Sequence, residues 1–354
     1  MNRFHTLTDK LPKMEAAMIT NPISRRYFSG IKSSDGTLVV TGKKSVLIID
    51  SRYYEMAQRN ALVDEVILQD KLYRQIAEVL NKNGVSSVAV EADFVTLSQM
   101  GMFCEKLPGI EICGGKELSA AIAEMRETKS PDEIEKIKAA QKLTDETFAY
   151  ILEYIEAGMT EREIALEMEF YGRKEGADDK AFDFIVAAGP NGSMPHAVPS
   201  EYKVKPGDFI TMDFGFQIDG YHSDMTRTIA LGNPGTKQRE VYDLVLKAQL
   251  KAMEVAKSGV KCSDVDKAAR DLIDNSVYKG CFGHGLGHAI GLEVHENPRF
   301  SPKSDAIWKT GSVMSDEPGI YIPGEFGVRI EDLIVATEDG YENLTHSPKE
   351  LIVL

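Results

Sequence analysis

Residues 16–20, 37–41, 45–50, 65–68 and 87–91 are short runs of apolar and β-branched residues, separated by stretches with helical spacing. That alternation predicts an α/β unit with a mixed or parallel sheet over residues 1–125. Its clearest helical stretch is 71–84, where Leu72, Ile76, Val79 and Leu80 share one face and Gly84 marks the stop. Asp50-Ser51-Arg52-Tyr53 follows an apolar strand and reads as a structural helix start. No GxGxxG or phosphate-loop pattern occurs, so no nucleotide is assigned to this unit.

The pattern changes near 125–130. Ser130-Pro131-Asp132-Glu133 is a capping box with proline at the first helical position, and it predicts a helix to about Ile155. Thr160-Glu161-Arg162-Glu163 is a second box, predicting a helix to about Lys174. A strand and a turn-rich loop carrying His196 follow. His196 reads equally as a loop histidine or as a group held in an active site. Further helices are predicted over 238–257 and from a Ser263 cap to about Asn275.

Between these helices the periodicity is that of strands. FITMDFGFQIDGYHSDMTRTIA (209–230) alternates about Asp219-Gly220, a dipeptide that favours a type I′ hairpin. Such a turn pairs Ile218 with Tyr221 and sets Asp213 opposite Thr226. Asp224 is then Asp213's diagonal neighbour, with Phe214, Phe216 and Ile218 on the other face. GCFGHGLGHAIGLEVHENP (280–298) holds three of the seven histidines. His284 and His288 have helical metal-pair spacing, but Gly285, Gly287 and Gly291 argue for a glycine-bent strand instead. SDEPGIYIPGEFGVRIED (315–332) reads as a hairpin turning near Pro323-Gly324-Glu325. An odd-length loop brings Glu317 to face Glu331, with Gly319, Tyr321 and Arg329 on their side; an even-length loop turns the acids apart.

Composition narrows the chemistry. The chain has 354 residues and a formal charge of -14, which suits about two folded domains and argues against a nucleic-acid partner or an anionic membrane surface. No segment reads as a signal peptide or approaches the roughly 18 apolar residues of a membrane span. Four cysteines without CxxC spacing exclude finger-type zinc and point to a reduced, cytoplasmic protein. Four carboxylates and one histidine around a pocket need more positive charge than nearby arginines provide. Two divalent ions would supply it, and an oxygen-rich set with one imidazole suits Mn²⁺ or a similar hard ion.

These three motifs, in this order, resemble those of the proline-specific metallopeptidases of the pita-bread fold, aminopeptidase P and prolidase. The resemblance implies an α+β architecture, with a creatinase-like α/β domain over 1–125 and a pita-bread catalytic domain over 127–354. It implies metal ligation by Asp213, Asp224, His288, Glu317 and Glu331, with Asp224 and Glu331 bridging two ions. Mn²⁺ is expected, with Co²⁺ and Zn²⁺ as alternatives. His196, His295 and Glu317 would be catalytic, Glu317 taking a proton from water and the histidines binding the scissile carbonyl and the oxyanion. His284, Tyr321 and Arg329 would contact substrate. The expected reaction is cleavage of the Xaa-Pro bond at the N-terminus of a peptide with proline second, by a homodimer. An Xaa-Pro dipeptidase, prolidase, is the alternative, and a metal-free peptide-binding relative is a third reading. With only Arg329 placed near the metals, no second cation awaits a dipeptide's carboxylate, and the aminopeptidase is preferred on that ground. Asp316 departs from the family's apolar residue before Glu-Pro-Gly; alternation points it away from Glu317, towards the strand's packing face.

Overall fold

A computed structural model describes residues 3–11 and 15–354. The chain forms two compact units, Met1–Arg126 and Glu127–Leu354.

The first unit is built on a six-stranded mixed sheet, in the order Glu65–Leu68, Ser45–Ile49, Thr37–Thr41, Ala16–Ile19, Ser87–Val90, Glu111–Cys113. The strands at 37–41 pair antiparallel with both neighbours, and the remaining three pairings are parallel. Five of these strands coincide with the apolar runs. The sixth, at the edge, spans three residues and is partly exposed, so periodicity does not disclose it. The helix Leu72–Lys82 buries Ile76, Val79 and Leu80 against the sheet. Asp50 caps the helix Ser51–Asn60 by accepting the Arg52 N–H.

In the second unit four helices clothe two sets of strands. Pro131–Tyr154 and Glu161–Lys174 start at the two capping boxes, with Ser130 and Thr160 accepting from Glu133 and Glu163. They pack Leu143, Phe148, Ile164 and Met168 onto Val186, Ile210, Met212 and Phe214 of the sheet formed by Ile185–Ala188, Phe209–Phe214 and Met225–Ala230. Thr236–Val255 and Cys262–Asp274 pack Val245, Ala252, Val265 and Ile273 onto Ala289, Met314 and Ile334 of a five-stranded sheet. Each of the Val, Leu, Ile, Phe and Met side chains among them contributes about 1.5–3 kcal/mol when buried. Because strand faces alternate, committing Ile210, Met212 and Phe214 to one core leaves Asp213 on the opposite face.

Ser263 does not cap its helix. The helix begins at Cys262, whose N–H donates to the Ala306 carbonyl at 2.9 Å, while Lys261 bridges Ile307. A neighbouring segment thus fills the need that a serine cap would have met. The helix predicted over 238–257 is Thr236–Val255, entered where the Gly235 N–H donates to the Gln238 side chain. Among the described residues no helix is long and apolar enough to cross a membrane.

Candidate metal centre and its cavity

The first hairpin turns on Asp219 and Gly220, with φ of 54° and 82°, the pair of positive values a type I′ turn requires. Ile218 faces Tyr221 and Asp213 faces Thr226. Between those pairings, a Cβ on Gly215 would lie 1.9 Å from the Ser223 carbonyl oxygen, so only glycine admits this approach. Asp224 is buried and Asp213 half-buried.

The final hairpin closes with a three-residue loop, Ile322 facing Phe326. The register runs on unbroken from Gly319↔Arg329 to Asp316↔Asp332, which leaves Glu317 opposite Glu331. The odd-length alternative is the one realised. Arg329 is buried behind these acids and donates to Asp213 Oδ2 at 2.6 Å, the Tyr321 hydroxyl at 2.7 Å and Thr226 Oγ1 at 2.9 Å. Thr226 in turn donates to Glu331 Oε2 at 2.6 Å. Next to it, the buried Arg227 gathers distant segments, donating to the carbonyls of Glu331 at 2.5 Å, Ser347 at 2.8 Å and Pro348 at 3.0 Å and to Asp332 Oδ1 at 2.7 Å.

His288 stands on the short strand Gly287–Ala289, whose register shifts immediately after it. A Cβ at Gly287 would sit 2.0 Å from the Ser315 carbonyl oxygen, so this glycine lets the histidine strand lie against the Glu317 strand. The Nδ1 of His288 lies 3.1 Å from the Ala289 carbonyl, which makes Nδ1 the protonated nitrogen. Nε2 then offers its lone pair towards Glu317 Oε1 at 3.4 Å and Asp224 Oδ2 at 3.6 Å. Burial lowers this imidazole's pKa to about 3, so it is a neutral donor rather than a counter-ion.

These donors fit a divalent cation. Asp213 Oδ1, Asp224 Oδ1 and Glu331 Oε1 are buried without a hydrogen-bond partner. Ligand atoms of Asp224, His288 and Glu331 lie within 4.8 Å of one another. Burial and neighbouring carboxylates push Asp224 and Glu331 well above the usual carboxylate range, and burial raises Glu317 to about 7. Several acids held so close without a cation would repel one another strongly. Orphaned carboxylate oxygens beside a neutral imidazole are what an oxygen-preferring ion completes.

The acids open into a cavity of about 560 Å³ whose wall includes His196, His295, Phe182, Phe184 and Val198, and a second of about 310 Å³ bordered by His284, Arg299 and Arg329. The five expected ligands and the two exposed histidines therefore converge. His284 reaches the Tyr321 hydroxyl through Nε2 at 2.9 Å, and Tyr321 itself is buried behind Arg329. Arg299 was not singled out by motif reading. It is an exposed guanidinium four residues past His295, in an alternating segment that the hairpin arguments do not reach.

Asp316 stands directly behind Glu317. It is fully buried opposite Asp332, and neither of its oxygens has a hydrogen-bond partner. Burial and Asp332 raise its carboxyl well above the ordinary range. Asp332, by contrast, is held down by Arg227 and by Lys349 at 2.7 Å, despite its burial.

The profile of metallopeptidase family M24 matches residues 135–338, and that of the creatinase/prolidase N-terminal domain matches residues 6–128. The chain is 36% identical over 340 residues to an Xaa-Pro dipeptidase of Pyrococcus furiosus, covering 96% of this chain and 95% of the relative. Among solved structures it is similar to an Xaa-Pro dipeptidase from Bacillus anthracis, with a TM-score of 0.96, 37% identity and 99% of each chain covered. It is also similar to an X-Pro aminopeptidase from Thermotoga maritima, with a TM-score of 0.93 and 36% identity, covering 98% of this chain and 99% of the other.

Proposed function

The chain belongs to metallopeptidase family M24, and on that premise we propose that it hydrolyses the bond between an N-terminal residue and a following proline. The observation that carries this reading is the convergence of Asp213, Asp224, His288, Glu317 and Glu331 on one cavity, with orphaned carboxylate oxygens among them and two histidines on the wall. In this reading residues 1–125 are the creatinase-like domain and 127–354 the pita-bread catalytic domain. The relatives named for Xaa-Pro substrates support the substrate class.

The five side chains would hold two divalent ions, Mn²⁺ by our reading, with Asp224 and Glu331 shared. Such ions supply Lewis acidity, acidifying water and polarising a carbonyl. Glu317 is the proton acceptor, oriented by the Ser315 hydroxyl, which donates to its Oε1 at 3.1 Å. His295 and His196 donate to the carbonyl oxygen as it gains negative charge. His284, Tyr321 and Arg329 form one hydrogen-bonded chain that holds Asp213 and borders the substrate space.

Arg299 bears on substrate length. It gives the second cavity a cation outside the hydrogen-bonded Arg329 cluster, and so answers the want of a carboxylate partner on which the aminopeptidase preference rested. We therefore favour an Xaa-Pro dipeptide as substrate. The 560 Å³ cavity supports the second reading, since it has room for a longer peptide. The Mn²⁺-loaded protein should be given an Xaa-Pro dipeptide, the same dipeptide as its amide, and an Xaa-Pro-Xaa-Xaa peptide. Arg299→Met is expected to raise KM for the free dipeptide about tenfold or more, in line with the loss of one charge-assisted hydrogen bond, while barely moving that of the amide. Cleavage of the longer peptide alone would return the assignment to an aminopeptidase, and cleavage of none would end the Xaa-Pro reading. A homodimer in a reducing cytoplasm completes the proposal, supported by four free thiols as regards location.

A further inference from the structure

Of the His295-Glu296 dipeptide, the proposed chemistry uses only the histidine. Glu296 turns inward. Its Oε2 lies 3.1 Å from Lys129 Nζ, and the two side chains are only 6% and 2% exposed. Its Oε1 accepts the Glu293 N–H at 3.2 Å, and the carboxylate runs so near Gly291 that a Cβ there would come within 2.7 Å of it. At the other end of this bend, the Gly291 carbonyl accepts the His222 N–H at 2.9 Å and lies 3.0 Å from His222 Nδ1. The segment that carries His295 is thus pinned twice, and Lys129 is the pin at the histidine's end. Lys129 is itself fixed: its N–H donates to the Gly311 carbonyl at 3.0 Å, and the next residue caps the helix Pro131–Tyr154.

A buried ion pair is a poor source of stability, because desolvation consumes much of the Coulomb gain and apolar residues of similar shape often serve as well. What a charged pair does provide is direction. We infer that Lys129 is a positioning residue: by holding Glu296 it sets where the neighbouring His295 imidazole stands, 4.4 Å from the ring of His288. The inference rests on the proposed function only in taking His295 as the group that meets the scissile carbonyl. A displacement of about 1 Å at such a group can cost about 10²-fold in rate.

Lys129→Met, Lys129→Arg and Glu296→Gln test it, with Lys309→Met as control, since the Lys309 side chain is half-exposed and pairs with the Glu127 carboxylate, whereas of Glu127 the Lys129 Nζ meets only the carbonyl, at 3.4 Å. Lys129→Met is expected to lower kcat on an Xaa-Pro peptide about 10- to 100-fold, the range for losing the support of an active group, with KM and metal content near those of the parent. Lys129→Arg should restore most of the loss and Lys309→Met should be silent. Combining Lys129→Met with Glu296→Gln should cost no more than the worse single change, because both break one contact. Hydrogen–deuterium exchange gives a readout free of activity: residues 291–297 should exchange faster in Lys129→Met and Glu296→Gln, with 209–214 unchanged. Equal acceleration in both segments, or parental kcat and parental exchange, would overturn the inference. A parent protein inert on every Xaa-Pro peptide, with exchange responding as stated, would uphold the positioning role and fail the substrate assignment alone.

Discussion

Asp224→Asn is expected to abolish most activity, with kcat/KM falling about 10³-fold or more, equivalent to roughly 4 kcal/mol of lost transition-state stabilisation. The substitution keeps the shape but removes a charge and one acceptor oxygen from a residue whose Oδ1 has no protein partner. Glu331→Gln should behave alike, because Glu331 Oε1 is orphaned in the same way while Thr226 holds Oε2. Metal analysis of the purified variants should show reduced occupancy, and chelation of the parent should reproduce the loss, reversed by Mn²⁺. Glu325→Gln, at the exposed hairpin tip where Glu325 pairs with Lys237 at 2.7 Å, should be near neutral, since such surface pairs are worth about 0–1 kcal/mol. Undiminished turnover by a metal-stripped Asp224→Asn protein would end the two-metal assignment.

The second large effect is expected at His295. His295→Ala should lower kcat about 10²-fold, the usual size for removing one donor to a developing oxyanion, with metal content unchanged. The ring is exposed on the cavity wall, and its own hydrogen-bonding edge is unnecessary for holding His288, which takes its orientation from Ala289. His346→Ala is the matched control. Its side chain is 79% exposed; its backbone N–H donates to Asp145 at 3.0 Å, and among the described residues its ring meets only that same carboxylate, at 3.7 Å. Equal losses in the two variants would mean that the glycine-bent strand has been misread.

The two hairpins were legible in the sequence because their geometry is local. An Asp-Gly turn sets the register of 209–230 within two residues, and strand alternation then fixes which side each acid takes. The final hairpin was legible only conditionally, since whether its loop held two or three residues decided if Glu317 and Glu331 would meet. Capping boxes located two helices, whereas Cys262–Asp274 begins on a hydrogen bond to Ala306, more than forty residues ahead, which no local pattern can announce. Arg299 and Lys129 escaped for the same reason. Their importance lies in what they face, and for Lys129 that is a residue 167 positions away. Asp316 could be seen to turn from Glu317, but not that it would be sealed against Asp332 with both oxygens unpartnered.

Arg227 carries a consequence for the order in which the molecule is completed. Its donors are filled by the carbonyls of Ser347 and Pro348, 120 and 121 residues further along, and by Glu331 and Asp332 a little over a hundred residues on. During synthesis the first hairpin therefore emerges long before the groups that saturate its arginine, and until they arrive a guanidinium destined for burial must stay hydrated. Contacts of such sequence separation close slowly and late. The Asp213–Asp224 hairpin can form early as a ribbon, but its register against Glu331 waits for the chain beyond 330. This is a protein whose catalytic half gains its active geometry in the final steps of folding, with the nascent chain meanwhile exposing one edge of an unfinished sheet to chaperones and to other chains.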